Sequence, residues 1–273
     1  MHIEHLTPCI GSEITDIDLA DPQQIHEHAP ALRALLAERQ VIFFRDQELS
    51  AAAQVRVATI FGRTEPVSST FPAHPDDPHV ELLISQGTRT GTDIWHADLT
   101  WQAQPPAGAC LYAVDVPETG GDTMWSSMTT AFASLDADLQ KYLQKLKAIH
   151  NWEAPALRDN LARRDPSGEL YKSARQKHVP IEQPVILEHH VTGKPVVFVN
   201  ALYTTHIQGV TSDESTSLIA LLSGLAKVPE WQVRFRWRKG SVAVWDNIAT
   251  QHYAVNDYHP AARRMHRVAI RRA

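Results

Sequence analysis

Three side chains in this sequence have the types and spacing needed to bind one metal ion. His96 and Asp98 are two residues apart, and His252 lies near the C-terminal end. On an extended segment, residues two apart face the same side, so the first two can reach one ion. A second imidazole completes the two-histidine, one-carboxylate set typical of non-heme Fe(II) oxygenases. Taken alone, the His96–Asp98 pair is a weak signal that also fits a strand-end His–Asp hydrogen bond, and His252 alone is better read as a buried histidine bonded to backbone.

Two arginines could bind an anion beside that metal. Arg263 and Arg267 are four residues apart on a predicted strand, so both face the same side. A buried guanidinium needs a partner, and a dicarboxylate supplies one through two-pronged hydrogen bonding. The alternative is that both are solvated edge residues like the neighbouring Arg264, Arg271 and Arg272. The pair by itself does not decide between these two readings.

The elements that must position these side chains follow from hydrophobic periodicity, turn residues and caps. The pattern predicts helices over 22–40, 50–61, 126–148 with a break near Leu135, and 212–227 behind a Thr211–Glu214 capping box. It predicts strands over 41–44, 80–84, 94–100, 108–116, 122–125, 185–188, 196–199, 231–238, 241–245 and 264–272. Hairpins are expected between 185–188 and 196–199 and between 231–238 and 241–245. Many short strands with helical cover favour a mainly β fold, a sandwich or jelly roll.

Composition and charge narrow the class of protein. The 273 residues carry a formal net charge of -5, which excludes a general nucleic-acid binder because phosphate contacts need a basic surface. Two cysteines without a paired motif, Cys9 and Cys110, predict a reduced intracellular protein. The sequence shows neither a secretory start nor an apolar run long enough for a membrane span, so we expect a soluble cytoplasmic protein.

One domain is expected over residues 1–273, since no stretch has the composition of a linker. The segment 151–183 differs from the rest because it is charged and contains Pro155, Pro166 and Pro180. Long loops within compact domains are usually functional lids or disordered segments. We predict an active-site lid here, with a merely mobile loop as the alternative.

Four ordered segments resemble the taurine dioxygenase (TauD/TfdA) family of 2-oxoglutarate-dependent oxygenases. They are WHADLTW, PPAGACLYAVDVPETGGDTMWSSM, VFVNALYTTHIQGV and VWDNIATQHYAVNDYHPAARRMHRV. The resemblance runs from about residue 10 to the last strand, and it implies a double-stranded β-helix, a form of jelly roll. It also implies Fe(II) as cofactor, 2-oxoglutarate and O₂ as cosubstrates, and hydroxylation of a small-molecule substrate with release of succinate and CO₂.

Carried over residue by residue, the resemblance assigns each candidate a role. The implied iron ligands are His96, Asp98 and His252, and the implied 2-oxoglutarate residues are Thr123, Arg263 and Arg267. The implied substrate residues are Thr92, Leu99, Tyr203 and Arg267. A homo-oligomer, either dimer or tetramer, is also expected.

The chain departs from the taurine dioxygenase pattern on the substrate side. It has Ser68 to Ala73 where that enzyme has a histidine and a tyrosine, and Thr92 where it has an asparagine. We therefore expect a different small anion: a sulfonate, a sulfate ester, an aryloxyalkanoate or an amino-acid-like compound. Two alternatives remain: a zinc-type hydrolase with the same ligands, and a non-catalytic protein that binds small anions.

Overall fold

The computed structural model of the chain describes residues 1–67, 71–86, 92–153, 167–169, 172 and 179–272. The strands are β1 His2–His5, β2 Ser12–Thr15, β3 Val41–Phe44, β4 Ala73–His74, β5 Asp77–Gln86, β6 Gly108–Asp115, β7 Thr123–Ser127, β8 Lys147–His150, β9 Ile181–Pro184, β10 Ile186–Glu188, β11 Pro195–Val197, β12 Thr204–Ile207, β13 Gln232–Phe235, β14 Val242–Asp246, β15 Thr250–Ala254 and β16 Ala262–Ile270. The helices are α1 Pro22–Arg39, α2 Ala51–Thr59, α3 Met128–Ala133, α4 Ala137–Leu143 and α5 Ser212–Gly224, followed by 3₁₀ turns at Leu225–Lys227 and Pro229–Trp231. Within these ranges, no helix combines the length and apolar character needed to cross a membrane.

Two sheets face each other across an aromatic core. Among the described residues, eight strands form a mainly antiparallel sheet in the order β1-β2-β3-β14-β6-β16-β5-β4, and another sheet has the order β13-β7-β15. Phe43 and Trp245 of the large sheet pack with Trp125 and Phe235 of the small sheet in one buried cluster. The rings of Phe43 and Phe235 stack with centroids 4.1 Å apart. This layered β architecture confirms the predicted jelly-roll fold class.

Strand β14 shows how the large sheet is covered on both faces. Val242 and Val244 lie in the core cluster that includes Leu32 of α1 and Val57 of α2. Trp245, on the opposite face, lies in the cluster shared with the small sheet. Because side chains alternate along a strand and both faces are covered, every residue of β14 is buried. The helical cover is therefore also as predicted.

The hairpin predicted between 231–238 and 241–245 is wrong. Strand β13 pairs with β7, whereas β14 pairs with β3 and β6. The connecting turn contains Gly240, which has a φ of 79° and donates its N–H to the Ala113 carbonyl at 2.9 Å. The chain crosses here from the small sheet to the large one, so the turn joins two layers of the sandwich. The other predicted hairpin is confirmed by the pairing of β10 with β11.

Two further local predictions are wrong, and two helix predictions are confirmed. Residues 94–100 are fully described and form no strand, since His96 alone of them makes an isolated bridge. Residues 126–148 contain α3 and α4 with the predicted break near Leu135 between them, but the end of this range belongs to β8, which pairs with β9 and β12. Helices α1 and α5 lie where expected. The Thr211 N–H donates to the Glu214 carboxylate at 2.8 Å, and Glu214 N–H donates to Thr211 Oγ1 at 3.4 Å, as a capping box requires.

Most of the predicted lid lies outside the described residues, namely 154–166, 170–171 and 173–178. At its described ends, Trp152 is buried in a cluster with Tyr203, and β9 pairs with β8. The lid and the single-domain organisation therefore stay predictions.

Candidate metal centre

His96 and His252 are held side by side by a short backbone bridge. The His96 N–H donates to the His252 carbonyl at 3.1 Å, and the His252 N–H donates back at 2.7 Å. Strand β15 carries His252 and pairs with β7, which places this histidine opposite Trp125. Both imidazoles are buried, and their ring centroids are 4.1 Å apart. Pairing between distant segments thus brings the two histidines together.

Asp98 reaches the same point from a turn, not from the extended segment that the sequence predicts. The next residue, Leu99, has a φ of 54°, a region that residues other than glycine rarely adopt. Asn247 fixes this turn: its Oδ1 accepts the Asp98 N–H at 2.7 Å, and its Nδ2 donates to the Asp98 carbonyl at 3.0 Å. Backbone strain persists only where neighbouring contacts hold it, and the buried Asn247 supplies those contacts.

The three candidate ligands form one compact set of donors. Asp98 Oδ1 is 3.6 Å from His96 Nε2 and 3.8 Å from His252 Nε2. Within the described part of the chain, these are the residues whose ligand atoms lie close enough, within 4.8 Å of one another, to hold an ion together. His96 Nδ1 lies 2.7 Å from the Ile94 carbonyl and donates to it, so its Nε2 lone pair is available for a metal. Metal–ligand bonds of about 2 Å fit this set after a small contraction.

The electrostatics favour the protonation states that metals need. Burial raises the pKa of Asp98, but the charges of Arg267 and His252 outweigh burial and hold this pKa well below its ordinary value. Burial and the neighbouring His96 lower the pKa of His252 to about 3. At neutral pH the set therefore contains a carboxylate and a neutral His252 imidazole, the forms that bind metals.

A second polar group lies on the inner face of the sandwich. Arg263 and the core residue Met265 are two apart on β16, so Arg263 also points inward. Its Nε and Nη2 atoms are buried and have no hydrogen-bond partner among the described residues. Its guanidinium carbon is 5.9 Å from the centroid of the Trp237 ring, whose Nε1–H donates to Thr123 Oγ1 at 2.9 Å. The unpartnered guanidinium donors and the Thr123 hydroxyl hydrogen suit a carboxylate.

Arg267 lies between two carboxylates. Its Nε and Nη2 atoms are both 2.6 Å from Glu81 Oε2, and its Nη1 is 3.0 Å from Asp98 Oδ2. Burial lowers the pKa of Arg267, but Glu81 and Asp98 outweigh burial and hold this pKa above its ordinary value. Each Nη atom carries two hydrogens, so the Arg267 guanidinium keeps hydrogens that it can donate to a substrate anion.

Two of the residues predicted to contact substrate lie together beside His96. The Tyr203 ring is 6.4 Å from the His96 ring between centroids, and Tyr203 is buried. Leu99 packs against the same aromatic cluster. Thr92 lies beside the C-terminal end of β15, where its carbonyl accepts the Ala254 N–H at 3.3 Å. The wall beside His96 is therefore aromatic and apolar.

Two supporting residues were not predicted from the sequence. Glu81 is 5% exposed on β5, and Asn247 is 1% exposed in the turn between β14 and β15. A lone acidic residue in the apolar run Val-Glu-Leu-Leu-Ile is a usable signal, because a buried charge needs a partner. The sequence does not say which partner that is.

The family model for taurine catabolism dioxygenases (TauD, TfdA family) matches residues 2–269. An alpha-ketoglutarate-dependent sulfate ester dioxygenase from Pseudomonas putida is 34% identical over 275 residues, 96% of this chain and 86% of that protein. An alkylsulfatase from Acinetobacter baylyi is 30% identical over 281 residues, 99% of this chain and 84% of that protein. The crystal structure of a taurine dioxygenase from Burkholderia xenovorans has a TM-score of 0.81 at 30% identity, covering 100% of this chain and 89% of that one. The chain belongs to the TauD/TfdA family of 2-oxoglutarate (alpha-ketoglutarate)-dependent dioxygenases.

Proposed function

We propose that this dioxygenase binds Fe(II) through His96, Asp98 and His252, and that it hydroxylates an unactivated C–H bond of a small anionic substrate. The observation that carries the proposal is the convergence of the three donors, with Asp98 Oδ1 within 3.8 Å of both imidazole Nε2 atoms. Two imidazoles and one carboxylate gathered on one side of an ion leave positions open for a bidentate cosubstrate and O₂.

Arg263 and Thr123 are proposed to bind the far carboxylate of 2-oxoglutarate. A buried guanidinium with two unpartnered nitrogen atoms is costly, and a carboxylate is the partner that removes this cost. Trp237 supports both residues, because its ring lies beside Arg263 and its Nε1–H orients the Thr123 hydroxyl. The same five-carbon diacid would then have its other end free to reach the metal.

The residues of the chain are proposed to position the metal and the substrate, to offset the charge of the metal and to exclude water from the site. Bound iron, with its cosubstrates, would supply the oxidising power that couples decarboxylation of 2-oxoglutarate to hydroxylation of substrate. Asp98 offsets part of the metal's charge, and Asn247 fixes the turn that carries it. Tyr203 and Leu99 form an apolar wall beside His96, where a substrate C–H bond can be held without competing water.

Sulfate esters with an alkyl or aryl body are the proposed first candidates for substrate. Two relatives are named as an alkylsulfatase and a sulfate ester dioxygenase, and the apolar wall suits such a body. Sulfonates, aryloxyalkanoates and amino-acid-like compounds follow as candidates. The dimer or tetramer expected from the resemblance stays a prediction.

The test is substrate-stimulated succinate formation across these compound classes, with Fe(II), 2-oxoglutarate and O₂ supplied. Product should form with at least one class, and a His252→Ala variant should abolish it. If the protein binds 2-oxoglutarate but no compound class stimulates succinate formation, the substrate assignment is wrong.

A zinc-type hydrolase with the same three ligands is the rival proposal. Anaerobic titration separates the two, because an Fe(II) centre that chelates 2-oxoglutarate gives a weak visible charge-transfer band. A hydrolase gives no such band and leaves Arg263 without a carboxylate to bind.

A further inference from the structure

Glu81 lies outside the proposed ligand set, but the side chain of Arg267 connects it to Asp98. It lies on β5, directly opposite Arg267 on β16. The two side chains are 7% and 18% exposed, so their ion pair is poorly screened by water. Arg267 Nη1 then continues to Asp98 Oδ2 at 3.0 Å. A continuous chain of charged contacts therefore runs from β5 to the turn that carries Asp98.

The two oxygens of Asp98 have different surroundings. Oδ1 faces His96 Nε2 and His252 Nε2 at 3.6 and 3.8 Å. Oδ2 accepts the Arg267 hydrogen bond instead. A carboxylate oxygen engaged by a guanidinium is less available to a metal, so this geometry favours coordination through Oδ1 alone.

We propose that Glu81 is a positioning residue which, through Arg267, keeps Asp98 a one-oxygen ligand and so preserves the open metal positions that 2-oxoglutarate needs. This inference rests on the proposed iron site. Arg267 is a long side chain with several rotamers, and two of its nitrogen donors converge on Glu81 Oε2 at 2.6 Å. Without that anchor, the guanidinium is free to leave Oδ2, and Asp98 can then chelate the ion through both oxygens. Two positions would then remain where 2-oxoglutarate and O₂ together need three, so the cosubstrate would have to compete with Asp98 Oδ2 for coordination.

The test uses anaerobic titrations of Glu81→Gln and of a matched control, Glu13→Gln. Glu13 forms an ion pair of the same type with Arg45 Nε at 3.0 Å, on β2, which is several strands away from β5. Fe(II) affinity is measured first, and 2-oxoglutarate affinity is then read from the charge-transfer band. We expect Glu81→Gln to raise the 2-oxoglutarate dissociation constant about tenfold or more while Fe(II) binding changes far less. Glu13→Gln should leave both constants unchanged.

A general loss of structure would give a different result, since it would weaken Fe(II) and 2-oxoglutarate binding together and lower the melting temperature. That result, or normal 2-oxoglutarate affinity in Glu81→Gln, overturns the proposal. Glu81→Asp keeps the charge and should recover most of the affinity. If Glu81→Gln does not fold, Glu81→Met takes its place, because it removes the anchoring carboxylate and leaves Arg267 itself in the chain. Unchanged 2-oxoglutarate affinity in Glu81→Met would overturn the proposal as well.

The wild-type titration separates this proposal from the proposed function. A wild-type protein without a charge-transfer band refutes the iron site itself. A normal wild-type band together with a normal Glu81→Gln band refutes the role of Glu81 alone.

Discussion

Replacing Arg263 by methionine should have opposite effects on the free protein and on its complex with 2-oxoglutarate. In the free protein, Nε and Nη2 of Arg263 are buried without a partner among the described residues. Methionine has similar length and no polar atoms, so it removes a buried charge two of whose nitrogen atoms have no partner. Replacing buried charged groups by apolar ones is often neutral or stabilising. We therefore expect the ligand-free Arg263→Met variant to be at least as stable as the wild type.

Binding of 2-oxoglutarate should instead be strongly weakened. Truncating one partner of a buried, hydrogen-bonded charge pair costs about 2–5 kcal/mol, which corresponds to roughly a 30-fold to 5,000-fold loss of affinity. The wild type should gain thermal stability as 2-oxoglutarate is added, because ligand binding to the folded state stabilises it. The variant should show no such gain over the same concentrations.

The assay pairs anaerobic 2-oxoglutarate titration with thermal unfolding, and Arg264→Met is the control. Arg264 is the next residue on β16 and is exposed, so it lies on the opposite face. This control should bind 2-oxoglutarate normally. Near-normal affinity in Arg263→Met, or a ligand-free variant much less stable than the wild type, would refute the reasoning from the two unpartnered nitrogen atoms.

Three further predictions concern buried residues outside the proposed ligand set. His150 is fully buried, and burial lowers its pKa from 6.5 to about 3. As the pH falls, His150 is therefore protonated in the unfolded chain before it is protonated in the folded protein. The free energy of unfolding keeps its full value above pH 6.5 and decreases between pH 6.5 and 3. The free energy of unfolding should fall by about 2 kcal/mol by pH 5. Denaturant unfolding should show no such decrease in the His150→Gln variant. Equal decreases in the two proteins would contradict this prediction. Asn247→Ala leaves both backbone groups of Asp98 without their partner, so we expect a cost on the order of 3 kcal/mol and weaker Fe(II) binding, measured by unfolding and metal titration. Trp237→Phe keeps an aromatic ring but removes the hydrogen bond to Thr123. This change should raise the KM for 2-oxoglutarate several-fold, consistent with about 1 kcal/mol for one hydrogen bond. An unchanged KM would argue against the role of Trp237 in orienting Thr123.

Local signals in the sequence were sufficient for elements whose stability depends on near neighbours. Helix α1 follows from its apolar spacing, and α5 follows from the Thr211–Glu214 capping box, in which both partners lie within one turn. The strand 41–44 was predicted from a short apolar run. The sequence also supplied the candidate ligands, because the residue types and the motifs around them suffice to indicate the chemistry.

The tertiary structure alone decided which strands pair and how the site is assembled. The 231–245 region looks like a hairpin, but its halves enter different sheets, since β13 pairs with β7 while β14 pairs with β3 and β6. His96 and Asp98 were expected on a strand, yet the turn around Leu99 is stabilised by Asn247, far away in the chain. The link from Glu81 through Arg267 to Asp98 exists only after β5 and β16 pair. The sequence determines which chemical groups are present, whereas non-local strand pairing and packing determine the distances between groups that are remote in the chain.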